Sequence, residues 1–197
     1  MDYQTIFRDL KNKIFHPIYL LAGEEAFFID KISDYIEDNV LTEAEKGFNL
    51  TVMYGRDSTA QTIIDNARRY PMFSNHQVLI VKEAQQLKDF DKLEHYVNAP
   101  LQSTILVICY KHKKFDKRKK IYKQIDKKGI TFSSDKLYEN KVPGWITQYL
   151  AAKDYKIDNK GSAMLVEFLG NDLSKIANAL DKLILNTPKG APITAKE

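Results

Sequence analysis

The sequence has little cysteine and no long apolar run, and these shortages exclude several kinds of protein. Its 197 residues include one cysteine, Cys109, which lies inside the apolar run 104–110. A lone cysteine in such a run indicates a buried thiol in a reducing compartment and excludes a disulfide framework. No apolar run approaches the roughly 20 residues of a membrane span, and the N-terminus lacks the basic and apolar regions of a secretory signal. We therefore expect a cytoplasmic protein without a membrane partner.

Catalytic patterns are also scarce. The four histidines are scattered without the spacing of a metal site, and no serine occupies a nucleophile elbow. The sequence therefore predicts no catalytic residue, no metal site and no cofactor. It does contain 44% hydrophobic residues, enough for a packed core, and a net charge of +4. A mildly basic charge is by itself weak evidence for a nucleic-acid partner.

Apolar runs alternate with helical patterns through the first two thirds of the chain. The runs predict five strands, at 18–22, 48–54, 78–81, 104–110 and 130–132. The spacing of apolar residues predicts helices between them, at 2–15, from Gly23 to about residue 40, and at 59–70, 89–97 and 116–128. This alternation favours an α/β fold, a largely parallel five-stranded sheet with helices on both faces.

After residue 135 the pattern becomes helical. Helices are predicted at 142–152, 161–169 and 172–185, with no strand between them. We therefore expect two domains, an α/β domain at 1–138 and a small three-helix domain at 139–197.

The stretch 18–31 has the layout of a phosphate-binding loop without its residues. A short apolar strand, Gly23 and a helix follow one another as they do around the motif G-x-x-x-x-G-K-[ST]. Counted from Gly23, the second glycine, the lysine and the hydroxyl residue fall on Phe28, Ile29 and Asp30. The glycines of that motif let backbone N–H groups approach phosphates, and its lysine neutralises their charge. The sequence therefore predicts a phosphate loop without its chemistry.

Three charged residues strengthen this prediction. Glu24 and Glu25 place negative charge where an anion would lie, although both also favour the positive N-terminal end of a helix. The third strand ends at Lys82, where a carboxylate would be expected to bind Mg²⁺. We therefore expect no ATP hydrolysis.

The segment Tyr70-Pro-Met-Phe-Ser-Asn75 has two large apolar residues, Met72 and Phe73, between a helix stop and polar residues. A loop tip is a costly place for them unless they are covered. Either they fold back into the core, or they form an exposed anchor for a pocket on a partner.

The basic residues are concentrated in the segment 111–128. It has ten lysine or arginine residues and two aspartates, so it carries a charge of +8 and the remainder of the chain −4. Such a segment contacts a phosphate backbone, or it is a solvated helix face beside an acidic partner. The candidate DNA-facing residues are Lys117, Arg118, Lys119, Lys120 and Lys123.

Several segments, in order along the whole chain, resemble the delta subunits of bacterial DNA polymerase III. They are Ile18-Tyr-Leu-Leu-Ala-Gly-Glu-Glu, Met72-Phe73 before an apolar strand, Phe115-Asp-Lys-Arg-Lys-Lys, Trp145-Ile146, Gly170-Asn-Asp-Leu173 and Leu180-Asp-Lys-Leu183. The chain departs from the family at 179–183, where the usual glutamate is missing.

The resemblance implies an AAA+/RecA-like fold that has lost its nucleotide site, followed by a three-helix lid. Phe28 and Ile29 would then fill the space of the nucleotide. The family's third, helical collar domain would lie beyond this chain. The resemblance also implies a clamp-loader subunit without catalysis of its own, part of a DNA polymerase holoenzyme and so a nucleotidyltransferase by association.

The partners that the resemblance implies are the sliding clamp (beta), the loader subunits gamma/tau and delta prime, and primed DNA. The family opens the clamp ring by pressing a hydrophobic pair into a pocket on the clamp. By position the pair is Met72 and Phe73, flanked by Tyr70, Pro71 and Ser74 and supported by the helix predicted at 59–70. Two alternatives stay open: an active AAA+ ATPase domain, and a stand-alone nucleic-acid-binding module that uses 111–128.

Overall fold

The computed structural model describes residues 1–194, which form two compact units, Met1–Asp135 and a second that begins at Lys136. The boundary expected from the sequence lies three residues later, after residue 138. Residues 195–197 of the expected second domain lie outside the described residues. No helix among the described residues is long and apolar enough to cross a membrane.

The first unit is built on a five-stranded sheet in which every strand pairs parallel with its neighbours, in the order β2-β3-β4-β1-β5. This confirms the predicted α/β class. The strands are β1 (Ile18–Gly23), β2 (Leu50–Tyr54), β3 (Gln77–Lys82), β4 (Thr104–Lys111) and β5 (Ile130–Ser134). The helices are α1 (Tyr3–Lys11), α2 (Ala26–Asn39), α3 (Glu43–Asn49), α4 (Ala60–Ala67), α5 (Glu94–Val97) and α6 (Lys120–Lys128).

The central strands are continuously apolar because helices cover both faces of the sheet. On one face, strand residues such as Leu20 and Leu106 pack with Ile63 of α4 and Ile125 of α6. On the other face, Leu21 and Val107 are among the strand residues that pack with residues of α1 and α2. The sheet therefore separates two apolar clusters, and its carboxyl edge is left for polar residues.

The strand predicted at 48–54 is too long, because helix α3 takes its first residues. Thr42 and Glu45 form a capping box that starts this helix, and its last residues are Phe48 and Asn49. The alternating apolar residues at 48, 50, 52 and 54 are typical of a strand, so the sequence pattern did not indicate the helix.

Two further helix boundaries differ from the prediction. Helix α4 ends at Ala67 rather than near residue 70, because the Gln77 side chain donates to the carbonyls of Asn66 and Ala67. Helix α6 begins at Lys120 rather than 116. The Asp116 carboxylate accepts a hydrogen bond from the Arg118 N–H at 3.0 Å, which favours a turn at 116–119.

The helix predicted at 89–97 also differs. It consists of a 3₁₀ turn, Phe90–Leu93, followed by the single α-helical turn of α5.

The second unit contains the three predicted helices, α7 (Val142–Ala151), α8 (Asn159–Leu169) and α9 (Leu173–Asn186). Ile146 and Leu150 of α7 and Ile176 and Leu180 of α9 are fully buried. The prediction of no strand between the helices is wrong, since β6 (Lys156–Ile157) lies between α7 and α8. It pairs in parallel with β7 (Pro192–Ile193).

Candidate functional site

The backbone donors of the phosphate-like loop are used by the protein itself. Gly23 ends β1, and the N–H groups of Glu24 and Glu25 both donate to the carbonyl oxygen of Ser134 at the end of β5, at 2.8 and 3.3 Å. The Phe27 N–H, in the first turn of α2, is bonded to the Glu25 carboxylate at 3.1 Å. A phosphate loop aims such groups at its ligand. Here the ligand's acceptors are replaced by a carbonyl and a carboxylate of the same chain.

Ion pairs occupy the carboxyl edge of the sheet, where α/β proteins bind ligands. The Lys111 ammonium lies 2.5 Å from the Asp30 carboxylate and 3.7 Å from that of Glu83. Lys82 pairs with Glu37 at 3.3 Å. Burial lowers the pKa of Lys111, but the hydrogen bond and charge of Asp30 outweigh burial, so this pKa is raised and the ammonium stays charged.

Phe28 and Ile29 lie in the first turn of α2 and belong to the apolar cluster that α1 and α2 form with the sheet. Ile29 is fully buried in the cluster that includes Ile32 and Ile36. The centroids of the Phe28 and Tyr3 rings are 4.9 Å apart. That they fill the volume of a nucleotide stays a hypothesis.

We expect no saturable binding of ATP, with or without Mg²⁺, up to millimolar concentration. The reason is that the N–H groups of Glu24 and Glu25 are already bonded, and Lys111 is paired with Asp30. Isothermal titration calorimetry measures this directly. Saturable binding in the micromolar range would contradict the prediction and favour the ATPase alternative.

The two apolar residues of the loop after α4 lie at the surface. The Phe73 side chain is 94% exposed and that of Met72 is 48% exposed, while Tyr70 is 76% exposed. Phe73 also has a positive φ of 54°, an uncommon conformation for a bulky residue. The loop therefore presents its apolar side chains to solvent instead of covering them.

Helix α3 holds this loop. Asn49, the last residue of this helix, is buried. Its Oδ1 accepts from the Met72 N–H at 2.7 Å, and its Nδ2 donates to the Met72 carbonyl at 2.9 Å. The Glu45 carboxylate, in the same helix, accepts from the N–H and the hydroxyl of Thr42, both at 2.8 Å, and these bonds lower the pKa of Glu45. Sequence reasoning missed both residues. The Thr42–Glu45 capping box was the signal that could have revealed their helix.

The remaining sequence candidates do not form a site. Cys109 is buried, as predicted, and burial raises the pKa of its thiol to about 11, so the thiol stays protonated near neutral pH. Within residues 1–194, no group of three histidine, cysteine, aspartate or glutamate side chains could hold a metal ion.

Comparison with known proteins decides the family. The family model described as "DNA polymerase III, delta subunit" matches residues 19–135, which is more than half of the chain. The chain belongs to the delta subunit family. The resemblance seen in the sequence is thereby confirmed.

Individual relatives agree with this assignment. The delta family member "DNA polymerase III subunit delta" of Bacillus subtilis (strain 168) is 24% identical over 188 residues, covering 90% of this chain and 54% of the relative. The present delta chain therefore spans about half the length of that curated relative.

Solved structures share the fold. The Bacillus subtilis DNA clamp loader delta protein matches with a TM-score of 0.77 and 22% identity, over 98% of this chain and 60% of that one. A gamma subunit-related protein of DNA polymerase III from Thermotoga maritima matches with a TM-score of 0.51 and 13% identity, over 91% of this chain and 57% of that one. These likenesses confirm the predicted α/β fold for this delta chain.

The basic segment 111–128 of this delta chain does not form one continuous free surface. Several of its side chains form ion pairs with acidic residues of other segments. Lys114 lies 3.0 Å from Asp135, Lys119 lies 2.9 Å from Asp91, and Lys120 lies 3.4 Å from Glu94. Arg118 pairs locally with Asp116 at 2.9 Å. Among the candidate DNA-facing residues, Lys117 and Lys123 alone have no acidic partner in the described part of the chain. The high local charge is therefore partly balanced by acidic side chains.

Proposed function

We propose that this chain is the clamp-binding part of a clamp-loader delta subunit, which binds the sliding clamp (beta) and opens its ring interface for loading onto DNA. The observation that carries the proposal is Phe73, a large aromatic residue almost wholly exposed beside Met72, in a chain of the delta family. Exposure of such a pair is unfavourable unless a partner covers it. Tyr70, Pro71 and Ser74 flank the pair and complete the proposed contact.

The mechanism is binding without chemistry. A hydrophobic anchor that enters a pocket on the clamp supplies most of the affinity. If it binds the open ring more tightly than the closed ring, it shifts the equilibrium toward opening by that difference in affinity. The loop after Gly23, whose Glu24 and Glu25 N–H groups are bonded to Ser134, agrees with a role in binding alone. Nucleotide chemistry would belong to other subunits of the loader, gamma/tau and delta prime. Nucleotidyl transfer would likewise belong to the polymerase of the holoenzyme, in the cytoplasm.

Titration of purified sliding clamp with this chain tests the proposal. We expect saturable one-to-one binding by calorimetry, and a rise in the rate at which the clamp leaves circular DNA. Bovine serum albumin serves as the control partner. Absence of clamp binding at tens of micromolar chain would overturn the proposal.

Contact with primed DNA is a second proposal, favoured by Lys117 and Lys123, the two candidate DNA-facing residues without an acidic partner in the described part of the chain. The measurement is the salt dependence of DNA binding by the reconstituted loader. Replacing Lys117 and Lys123 with glutamine should make the slope of log K against log salt less steep by about two, because each phosphate contact contributes roughly one. Lys119→Gln with Lys120→Gln is the matched control, since these residues are paired with Asp91 and Glu94. An unchanged slope for the first variant would show that Lys117 and Lys123 do not face DNA.

A further inference from the structure

The loop that presents Met72 and Phe73 is fixed from one side by the short helix α3. Asn49, at the end of this helix, is 3% exposed although it is polar. It forms two hydrogen bonds to the main chain of Met72, one to the N–H and one to the carbonyl. Its Nδ2 also lies 3.2 Å from the carbonyl of Glu45 in its own helix. This buried side-chain amide bonds a residue 23 positions away and so links the end of α3 to the loop before β3, next to the point where β2 and β3 begin to pair.

The residue before Phe73 is held while the Phe73 side chain stays exposed. Met72 is bonded to Asn49 through both its N–H and its carbonyl. Phe73 itself lies in the left-handed region with φ 54°, an unfavourable conformation for a side chain other than glycine. The bonds from Asn49 act on the residue directly before it.

We propose that Asn49 is a positioning residue, whose buried amide holds the main chain of Met72 so that Met72 and Phe73 are already in their clamp-binding conformation before the clamp arrives. This inference rests on the proposed function. Fixing a loop in its bound conformation improves affinity because the ordering entropy is not lost at binding. Asn49 itself needs no contact with the clamp.

The test compares Asn49→Ala with Asn66→Ala in binding to purified sliding clamp. Asn66 is the matched control, because its side chain bonds only the Thr62 carbonyl of its own helix, at 2.8 Å. We expect Asn49→Ala to weaken clamp affinity about tenfold at a temperature where circular dichroism shows it folded, and Asn66→Ala to bind as the unaltered chain does. Hydrogen exchange should lose protection at the Met72 amide while the amides of β3 and β4 keep theirs.

A second variant and a peptide make the outcome decisive. Asn49→Asp keeps the side-chain shape and the acceptor for the Met72 N–H but removes the donor to the Met72 carbonyl. It should therefore also lose clamp affinity. This variant serves as the test if Asn49→Ala does not fold. A peptide spanning 68–76 lacks α3 and should compete for the clamp with an affinity below that of Asn49→Ala. Unchanged clamp affinity in a folded Asn49 variant would overturn the inference.

Failure of the inference is distinguishable from failure of the proposed function. If the peptide does not compete and the chain does not bind the clamp, the proposed function is wrong. If the chain binds through Met72 and Phe73 while the Asn49 variants bind equally well, only the positioning role is wrong.

Discussion

Replacement of both Met72 and Phe73 by alanine should abolish binding of the sliding clamp while leaving the thermal stability of the chain almost unchanged. Truncation of a hot-spot residue costs about 2 kcal/mol or more, so removing two should weaken binding at least about a hundredfold, at roughly 1.4 kcal/mol for each factor of ten. The fold loses little, because Phe73 is 94% exposed and Met72 is held through its main chain.

Calorimetric titration and thermal denaturation of the same samples measure both effects. The matched control is Phe168→Ala with Leu185→Ala, two apolar side chains that are 76% and 84% exposed in the second unit. This control should bind the clamp as the unaltered chain does. A large fall in the melting temperature of the Met72 and Phe73 variant would show instead that the pair stabilises the fold, and unchanged clamp binding would move the contact elsewhere.

Replacement of Gly23 by alanine should destabilise the first unit by about 3 kcal/mol or more, the range of severe single substitutions. Gly23 has φ 151°, which side chains rarely adopt, and an added Cβ would lie 2.0 Å from the carbonyl oxygen of Ser134. That oxygen belongs to the backbone and accepts from Glu24 and Glu25, so it cannot move without losing these bonds. The close approach of β1 to the end of β5 therefore requires glycine.

Urea denaturation measures this loss, with Gly47→Ala as the matched control. Gly47 lies inside α3 with no atom within 4 Å of an added Cβ, so alanine there should stabilise the helix by about 0.5–1 kcal/mol. Equal stability of the Gly23 variant and the unaltered chain would mean that the end of β5 can retreat at no cost.

The sheet was predictable from the sequence because local patterns determine it. Strands such as β1 and β4 are buried on both faces, so each is a continuous apolar run that stands out from its surroundings. The loss of the phosphate loop was predictable for the same reason, since it follows from single positions such as Phe28 and Ile29. Helix α3 was missed because alternation at 48–54 resembled a strand more strongly than the capping box resembled a helix start.

The candidate site depends on contacts that the sequence does not display. The loop that carries Met72 and Phe73 is bonded to Asn49, which lies 23 positions before Met72. The charge of the segment 111–128 was visible, but its neutralisation by Asp91 and Glu94 arises only when distant segments meet. Likewise, the acceptor for the loop after Gly23 is Ser134, which ends the neighbouring strand β5 but is distant in the sequence. Residue types are local information, whereas pairing is a property of the fold.

The bonds between Ser134 and the loop after Gly23 have a consequence for how the stability of the first unit depends on nucleotide concentration. A protein that binds nucleotide gains stability as nucleotide concentration rises, by RT ln(1 + [L]/Kd). In this chain the N–H groups of Glu24 and Glu25 are bonded to Ser134, so we expect that term to vanish. The melting temperature of the first unit should then be the same with and without ATP, and ATP should not change the exposure of Met72 and Phe73 in this chain.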